Sequence, residues 1–390
     1  MRTSNRSNRQ VNSPLSRAFE LRGEYLASQL AKSMPLIDAS QGVPNYAPPA
    51  ALLRELEQRA QETKSYTYTD RRGIAALRHA ISSDCRKNYS FTIDPDEVLV
   101  TAGCNEAFCA AAFAVLDIGD QVIVPRPYYF NHPMWLDLIG AEVIWADGRT
   151  SGIPDLEEVK SLVNEKVRAL VLVSPNNPTG AEIEAQSLHE ICNFLKEREI
   201  FVILDETYRL FAKSKTKPLA GSSFADYPNV IRLLSFSKEF AVPGMRMGAV
   251  AAERSLTEEI LKTHDCISIC APHIGQLAVL AAMNGSRAWQ EEKSSDVLEK
   301  GLLLDKILAS VGNGFELSSC GGFFGWMRHP FRELKYWEVV EKFLAETGVL
   351  VLPGTLFGDG QDEHVRIGFA NLTHREIQEV GKRFKGLRGT

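Results

Sequence analysis

The chain has 390 residues, with 44 Lys and Arg against 49 Asp and Glu, a net charge of −5 and 44% hydrophobic residues. That length predicts two or three domains and is ample for a large core, and the balanced charge excludes a chain built mainly to track nucleic acid, which needs a concentrated basic face. The longest unbroken apolar run, Ala107 to Leu116, ends at Asp117, well short of the ~18 residues a membrane helix requires, so the chain is expected to be soluble and without a membrane partner.

The first 19 residues hold Arg2, Arg6, Arg9 and Arg17, four Ser and no acid. This reads as a disordered arm, with a mitochondrial transit peptide as the alternative; no clear amphipathic helix precedes Pro14, and no apolar stretch marks a secretory signal. The seven Cys are odd in number, scattered and without a CxxC pair. They read as reduced thiols of an intracellular protein, cytoplasmic unless the arm is a mitochondrial address. No HExxH, paired CxxC or EF-hand loop occurs, so no metal site is expected. GxGxxG, Walker A and GxSxG are also missing, which disfavours dinucleotide, P-loop and α/β-hydrolase chemistry.

From about residue 97, short apolar runs alternate with amphipathic segments. Val98–Thr101, Gln121–Val124, Val143–Ala146, Ala169–Ser174, Ile200–Leu204 and Val230–Ser235 read as strands. Asn105–Leu116, Asn131–Ile139, Asp155–Val163 and Ser187–Arg198 read as the helices between them. The alternation predicts βαβ units around a buried, mostly parallel sheet. After Gly285 the texture changes. A long charged helix from about Ser286 to Ser310 precedes Phe323–Met327, a helix near Tyr336–Glu346, Val349–Leu352, His364–Phe369 and a last helix from Thr373, which together describe a smaller α+β unit.

Ligands of open α/β sheets sit at the carboxyl ends of the strands. There the sequence places an acid (Asp205 after Leu204), an amide (Asn177 in Ser174-Pro175-Asn176-Asn177-Pro178-Thr179-Gly180), a lysine flanked by hydroxyls (Ser235-Phe236-Ser237-Lys238) and a helix start (Ala102-Gly103-Cys104-Asn105). Each alone has an ordinary reading: a helix cap, a turn, a solvated charge. Their joint occurrence at the end of one sheet points to a site.

These blocks resemble the class I/II aminotransferases, the fold-type I enzymes that depend on pyridoxal 5′-phosphate, over nearly the whole chain from about Asp38. The most specific block is Ser235-Phe236-Ser237-Lys238, followed by Pro243-Gly244-Met245-Arg246-Met247-Gly248; it matches the family pattern Ser-x-Ser-Lys, then Pro-Gly-x-Arg-x-Gly. The resemblance implies an α/β fold with a large cofactor-binding domain (42–285) whose mostly parallel sheet lies between helices. An interdomain helix and a smaller α+β domain (286–390) follow, and residues 1–41 supply the arm and the segment joining the small domain.

By the same resemblance Lys238 forms the Schiff base with the cofactor aldehyde and serves as general base and acid. Ser235, Ser237, Arg246 and the backbone N–H groups of Gly103, Cys104 and Asn105 would hold the phosphate, which suits a dianion facing a guanidinium fork and a helix N-terminus. Cys104 is then present for its size and backbone rather than for thiol chemistry. Tyr68, with Tyr66 as the competing assignment, would reach the phosphate of a partner subunit, which implies a homodimer. Asp205 would pair with the pyridine nitrogen, and Asn177 and Tyr208 with the ring's phenolic oxygen. Tyr129, in preference to Tyr128, would stack on the ring. Arg366 would grip the substrate α-carboxylate, and Gly42 would let the backbone approach the substrate.

The implied activity moves an α-amino group from an amino acid to a 2-oxo acid. The alternative is another pyridoxal-phosphate reaction on the same scaffold, such as cysteine-conjugate β-elimination, aminocyclopropane-carboxylate formation or oxidative chemistry, because fold does not determine reaction. A regulator carrying an aminotransferase-like domain is disfavoured, since only about 40 residues precede Gly42. Side-chain specificity is weakly legible. The stretch before Ser268-Ile269-Cys270-Ala271-Pro272 carries His264 and Asp265 but no arginine, and Asn105 stands where an aspartate-using branch has lysine. Both absences disfavour a dicarboxylic substrate, and Phe323, Phe324 and Val43 are candidates for a neutral or aromatic pocket.

Overall fold

The computed structural model describes residues 4, 13–148, 151–214 and 217–387. Its strands are β1 (Ile37–Asp38), β2 (Val98–Thr101), β3 (Gln121–Pro125), β4 (Glu142–Ala146), β5 (Val167–Val173), β6 (Phe201–Asp205), β7 (Val230–Ser235), β8 (Gly248–Ala251), β9 (Glu316–Gly321), β10 (Phe324–Arg328), β11 (Val349–Leu350), β12 (Leu352–Pro353) and β13 (His364–Gly368). Seven of them form one sheet in the order β2-β8-β7-β6-β5-β3-β4. Every neighbouring pair in it is parallel except those made by β8, which runs antiparallel to both β2 and β7.

The sheet is covered on both faces, so its strands are apolar at nearly every position, as a buried parallel sheet requires. Side chains still alternate. Val202 and Leu204 of β6 join the core formed with helices Ala75–Tyr89, Ala185–Lys196 and His273–Gly285, whereas Ile203 joins the core formed with helices Cys104–Val115, Asn131–Ile139 and Arg254–Ser268. Strand β8, Gly-Ala-Val-Ala, escapes a reading by periodicity because its residues are small. Helix Ala75–Tyr89 precedes the stretch read as alternating elements; its buried Leu77, Ile81 and Cys85 recur every fourth residue, the spacing of one helical face.

The smaller sheet is antiparallel, in the order β12-β13-β10-β9. Helices Arg287–Val311 and His374–Phe384 share with it a core rich in aromatic rings, including Phe315, Phe331, Phe343 and Phe384. The apolar run Val349–Leu352, which reads as one strand, is divided between two partners. Val349 and Leu350 pair in parallel with β1, while Leu352 and Pro353 pair with β13.

Part of the expected arm is ordered secondary structure. Helix Ser16–Ala27 buries Leu21 and Tyr25 in the aromatic core, and Arg17 bonds Glu20, Glu24 and Glu341. Arg2, Arg6 and Arg9 lie outside the described residues. Among the described residues no helix is long and apolar enough to cross a membrane, and no cluster of three or more His, Cys, Asp or Glu could hold a metal ion.

Leu204 is fully buried one residue before Asp205. Leu204→Ala is expected to lower stability by about 2–5 kcal/mol through lost burial and the residual cavity, read as a clear fall in the thermal midpoint; an unchanged midpoint would contradict this packing.

Candidate active site

The carboxyl ends of β5, β6 and β7 open into a cavity of about 250 Å³, closed on the other side by Phe324 of β10 and Arg366 of β13. Of the residues singled out from sequence, Gly42, Cys104, Asn105, Tyr129, Asn177, Asp205, Tyr208, Ser235, Ser237, Lys238, Arg246 and Arg366 all line it. Gly103 lies directly beneath Arg246. Its φ is +92°, and a Cβ there would lie 2.2 Å from Arg246 Nη2, so only glycine lets the guanidinium settle over the first turn of helix Cys104–Val115. Gly248 serves the same turn, since a Cβ on it would meet Cys104 N at 2.7 Å. Ser235 and Ser237 are buried beside this turn. Helix N–H groups, two hydroxyls and an arginine therefore face one small volume, which is the donor set that binds a phosphate dianion.

Asp205 ends β6 and points toward the same helix. Its Oδ1 accepts from Thr207 N at 2.9 Å and from the Cys104 thiol at 3.7 Å, and His132 Nε2 lies 3.4 Å from Oδ2. Burial alone would raise its pKa. The hydrogen bonds from His132 and Thr207 outweigh that and hold the carboxyl below its usual range, so it remains an anion in a dry site. Cys104 thus does more than fill space. Burial and the neighbouring acid push its thiol well up, and the S–H remains available as a donor to Asp205.

Lys238 sits in the short helix Phe236–Glu239 that follows β7. Burial, then the cations Arg366 and Arg246, bring its pKa down to about 8. Arg366 is fully enclosed. Its Nη1 donates to Asn177 Oδ1 at 2.9 Å and its Nη2 to Ser40 O at 2.6 Å, while Nε is buried without a partner. Its guanidinium also lies 4.4 Å from the Phe324 ring centroid, and burial lowers its pKa to about 10. Among the described residues no carboxylate pairs with this arginine, which suits it to take one from a ligand.

The two adjacent tyrosines diverge. Tyr129 lines the cavity, its hydroxyl accepting from Asn131 Nδ2 at 3.1 Å, and burial raises its pKa to about 12. Tyr128 stacks on Trp145 with centroids 4.8 Å apart. Burial also raises Tyr208, which packs against Phe323 and Phe324. Tyr68 is not brought to the cavity of its own chain; it is 77% exposed, and Tyr66 beside it bonds Ala60 O. His264 and His273 bond Glu106 and Thr67 O respectively, away from the cavity lining.

Four residues with direct roles in this geometry escaped the sequence reading: His132, Thr207, Ser40 and Leu15. His132 stacks on Phe108 at 4.1 Å as it meets Asp205. Its place in the first turn of a helix that starts at a sheet end was the available signal. Ser40 contributes a backbone carbonyl, which no side-chain pattern betrays, and Leu15 enters from the distant N-terminal segment.

Comparison with known proteins agrees with this geometry. Residues 35–384 match the family described as aminotransferase class I and II. An aspartate aminotransferase of Pyrococcus abyssi is 29% identical over 366 residues, covering 90% of this chain and 92% of that protein. An aromatic aminotransferase of Arabidopsis thaliana is 26% identical, covering 92% and 91%. The crystal structure of an aromatic aminotransferase from Pyrococcus horikoshii superposes with a TM-score of 0.82 at 28% identity, covering 95% of this chain and 97% of that one. The chain belongs to the class I and II aminotransferases, whose members use pyridoxal 5′-phosphate, and is itself a pyridoxal-phosphate-dependent aminotransferase.

Proposed function

We propose that Lys238 carries the cofactor and moves the proton at the substrate's Cα, with Asp205 and Arg366 as its two essential partners. The observation that carries this reading is the convergence of a lysine of lowered pKa, a buried anion and an uncompensated buried arginine on one cavity. The residues fit the cofactor: the cradle over Gly103, completed by Ser235, Ser237 and Arg246, suits its phosphate, and the ionised Asp205 suits a cationic ring nitrogen. When bound, pyridoxal phosphate supplies the electron sink for ionising the Cα–H bond. The protein's part is to orient that bond and hold the charges. Arg366, with Asn177 beside it, would bind the α-carboxylate as a fork; Asn177 and Tyr208 would hold the phenolic oxygen, Tyr129 would support the ring, and Gly42 would leave room for the substrate.

We infer a homodimer in which Tyr68 serves the partner's phosphate. Its exposure supports this, as do the exposed apolar residues Phe113, Ile118, Ile267 and Ile269 on the same chain. The unpaired cysteines support a reducing compartment such as the cytoplasm. The division into residues 1–41, 42–285 and 286–390 belongs to the same proposal.

The amino donor is read as one with a neutral side chain, aromatic in preference to dicarboxylic. Among the described residues lining the cavity, the cations are Lys238, Arg246 and Arg366, all engaged by the reading above, while Leu15, Val43, Phe130 and Phe324 supply apolar wall. A distal carboxylate would have to shed its water with no cation from this chain to receive it. Phenylalanine or tryptophan is therefore expected to exceed aspartate by at least about tenfold in kcat/KM with a common 2-oxo acid acceptor; a preference for aspartate would refute this specificity.

Lys238→Ala is expected to lower the transamination rate by about 10²–10⁴-fold or more, measured with amino donor and 2-oxo acid; retention of the native rate would end the assignment. Because the lysine's pKa is depressed from 10.5 to about 8, its free amine, the form that attaches the cofactor, accumulates as pH rises through 8. The rate at which the apoprotein takes up pyridoxal phosphate should climb to about that pH and then level. A rate still climbing toward pH 10 would show an unperturbed lysine.

A further inference from the structure

The residues that follow the acid and the lysine carry charges that turn away from the cavity. Successive side chains at a strand end point to opposite faces. Asp205 therefore faces helix Cys104–Val115, and Glu206 faces the other core, where Arg232 binds it through Nε at 2.6 Å and Nη2 at 2.7 Å. Glu239, one residue after Lys238, is likewise buried. It accepts from Arg209 Nε at 2.6 Å and Nη2 at 3.4 Å. Arg209 comes four residues after Asp205. It also donates to Asp84 Oδ2 at 3.0 Å and to Cys85 Sγ at 3.5 Å on helix Ala75–Tyr89, and its guanidinium lies 4.1 Å from the Tyr89 ring centroid.

We propose that Arg209, acting through Glu239, is a positioning residue that holds the Lys238 turn in register with the Asp205 turn. The inference rests on the roles given above to Lys238 and Asp205. A helix as short as Phe236–Glu239 has no stability of its own, and the chain leaves it at Ala241 with φ +56°. Its orientation must come from outside. Backbone bonds from Phe236 N to Met247 O and from Val242 N to Ser237 O hold one side. The fork of Arg209 holds the other and joins three elements: the turn after β6, the turn after β7 and helix Ala75–Tyr89.

Apolar residues would fill this space without the cost of burying charge. What the planar fork adds is direction at two carboxylates at once. The pair is also self-dependent. Burial, Asp84 and Glu206 all raise the pKa of Glu239, and Arg209 opposes them. Without the guanidinium, Glu239 would be left buried without its ion-pair partner, and the turn would lose that hold.

The test uses the holoenzyme with Arg209→Met, Arg209→Lys and Glu239→Gln. The readouts are kcat and KM, the pH midpoint of the bound cofactor's visible absorbance, and the thermal midpoint. Arg209→Met and Glu239→Gln are expected to lower kcat about tenfold or more, with KM for the amino donor within about twofold, because misplacement penalises the chemical step more than binding. The absorbance midpoint should move by about half a pH unit or more. The cavity groups Asp205, Tyr208, Cys104, Tyr129, Arg246 and Arg366 are unaltered in these variants. Arg209→Met and Glu239→Gln delete opposite charges beside Lys238, so movement of the midpoint in the same direction in both reports the lysine's position, whereas movement in opposite directions reports only the lost charge and would overturn the inference. Arg209→Lys, which keeps the charge but not the fork, should recover part of the loss.

Should Arg209→Met fail to fold, the nearly isosteric Glu239→Gln decides. A lowered thermal midpoint with native kcat and absorbance midpoint would overturn the inference and leave the pair a structural support. Lys238→Ala is measured alongside. If it keeps the absorbance and its titration, the reading of Lys238 fails whatever the other variants do; if it loses them while the Arg209 and Glu239 variants behave as wild type, only the positioning role fails.

Discussion

A carboxylate kept ionised in a dry place organises this molecule. Asp205 is buried, and His132, Thr207 and Cys104 surround its carboxylate with donors. Each donor arrives on a different piece of chain: helix Asn131–Ile139, the turn after β6, and the first turn of helix Cys104–Val115. Those pieces can meet only because the carboxyl ends of parallel strands open to one side. The same convergence delivers Arg246 over Gly103 and Lys238 at the end of β7.

The cations are the counterpart. Lys238 is pressed toward its neutral form by burial and by Arg366 and Arg246, and among the described residues the partners of the enclosed Arg366 are an amide, a carbonyl and aromatic rings. Positive charges so placed are destabilising in isolation. They make sense in a protein whose ligands, a phosphate and an α-carboxylate, arrive carrying the missing negative charge. The large sheet supplies Ser235, Ser237 and Lys238 and the small antiparallel sheet supplies Arg366, so on the proposed reading a substrate held by Arg366 and the cofactor would lie between the two sheets.

Behind the cavity, two buried ion pairs continue the pattern on the opposite face of the sheet. The adjacent acids Asp205 and Glu206 are sent to different faces by the two-residue repeat of a strand, one toward the ligand and one toward Arg232. Stability and chemistry are thereby carried by neighbouring residues without competing for the same space.

Much of the architecture follows from local pattern. Apolar runs spaced by amphipathic segments determine the βαβ units, and the residues just after each run, Asp205, Asn177 and the Ser235–Lys238 block, are legible because a parallel sheet puts strand ends at the ligand. What escaped had no local signal: β8 with its small residues, the division of Val349–Leu352 between two partners, and the ordered helix Ser16–Ala27 within an apparent arm. The site shows the same split. Side chains at strand ends could be named from the chain alone. The His132 contact to Asp205, the Ser40 carbonyl that receives Arg366, the Leu15 wall and the Arg209–Glu239 pair depend on segments tens to hundreds of residues apart coming into contact. Hydrophobic periodicity encodes which face of an element is buried; only the packed chain decides which polar group from elsewhere meets it there, because hydrogen bonds and ion pairs are short-ranged and directional while burial is not.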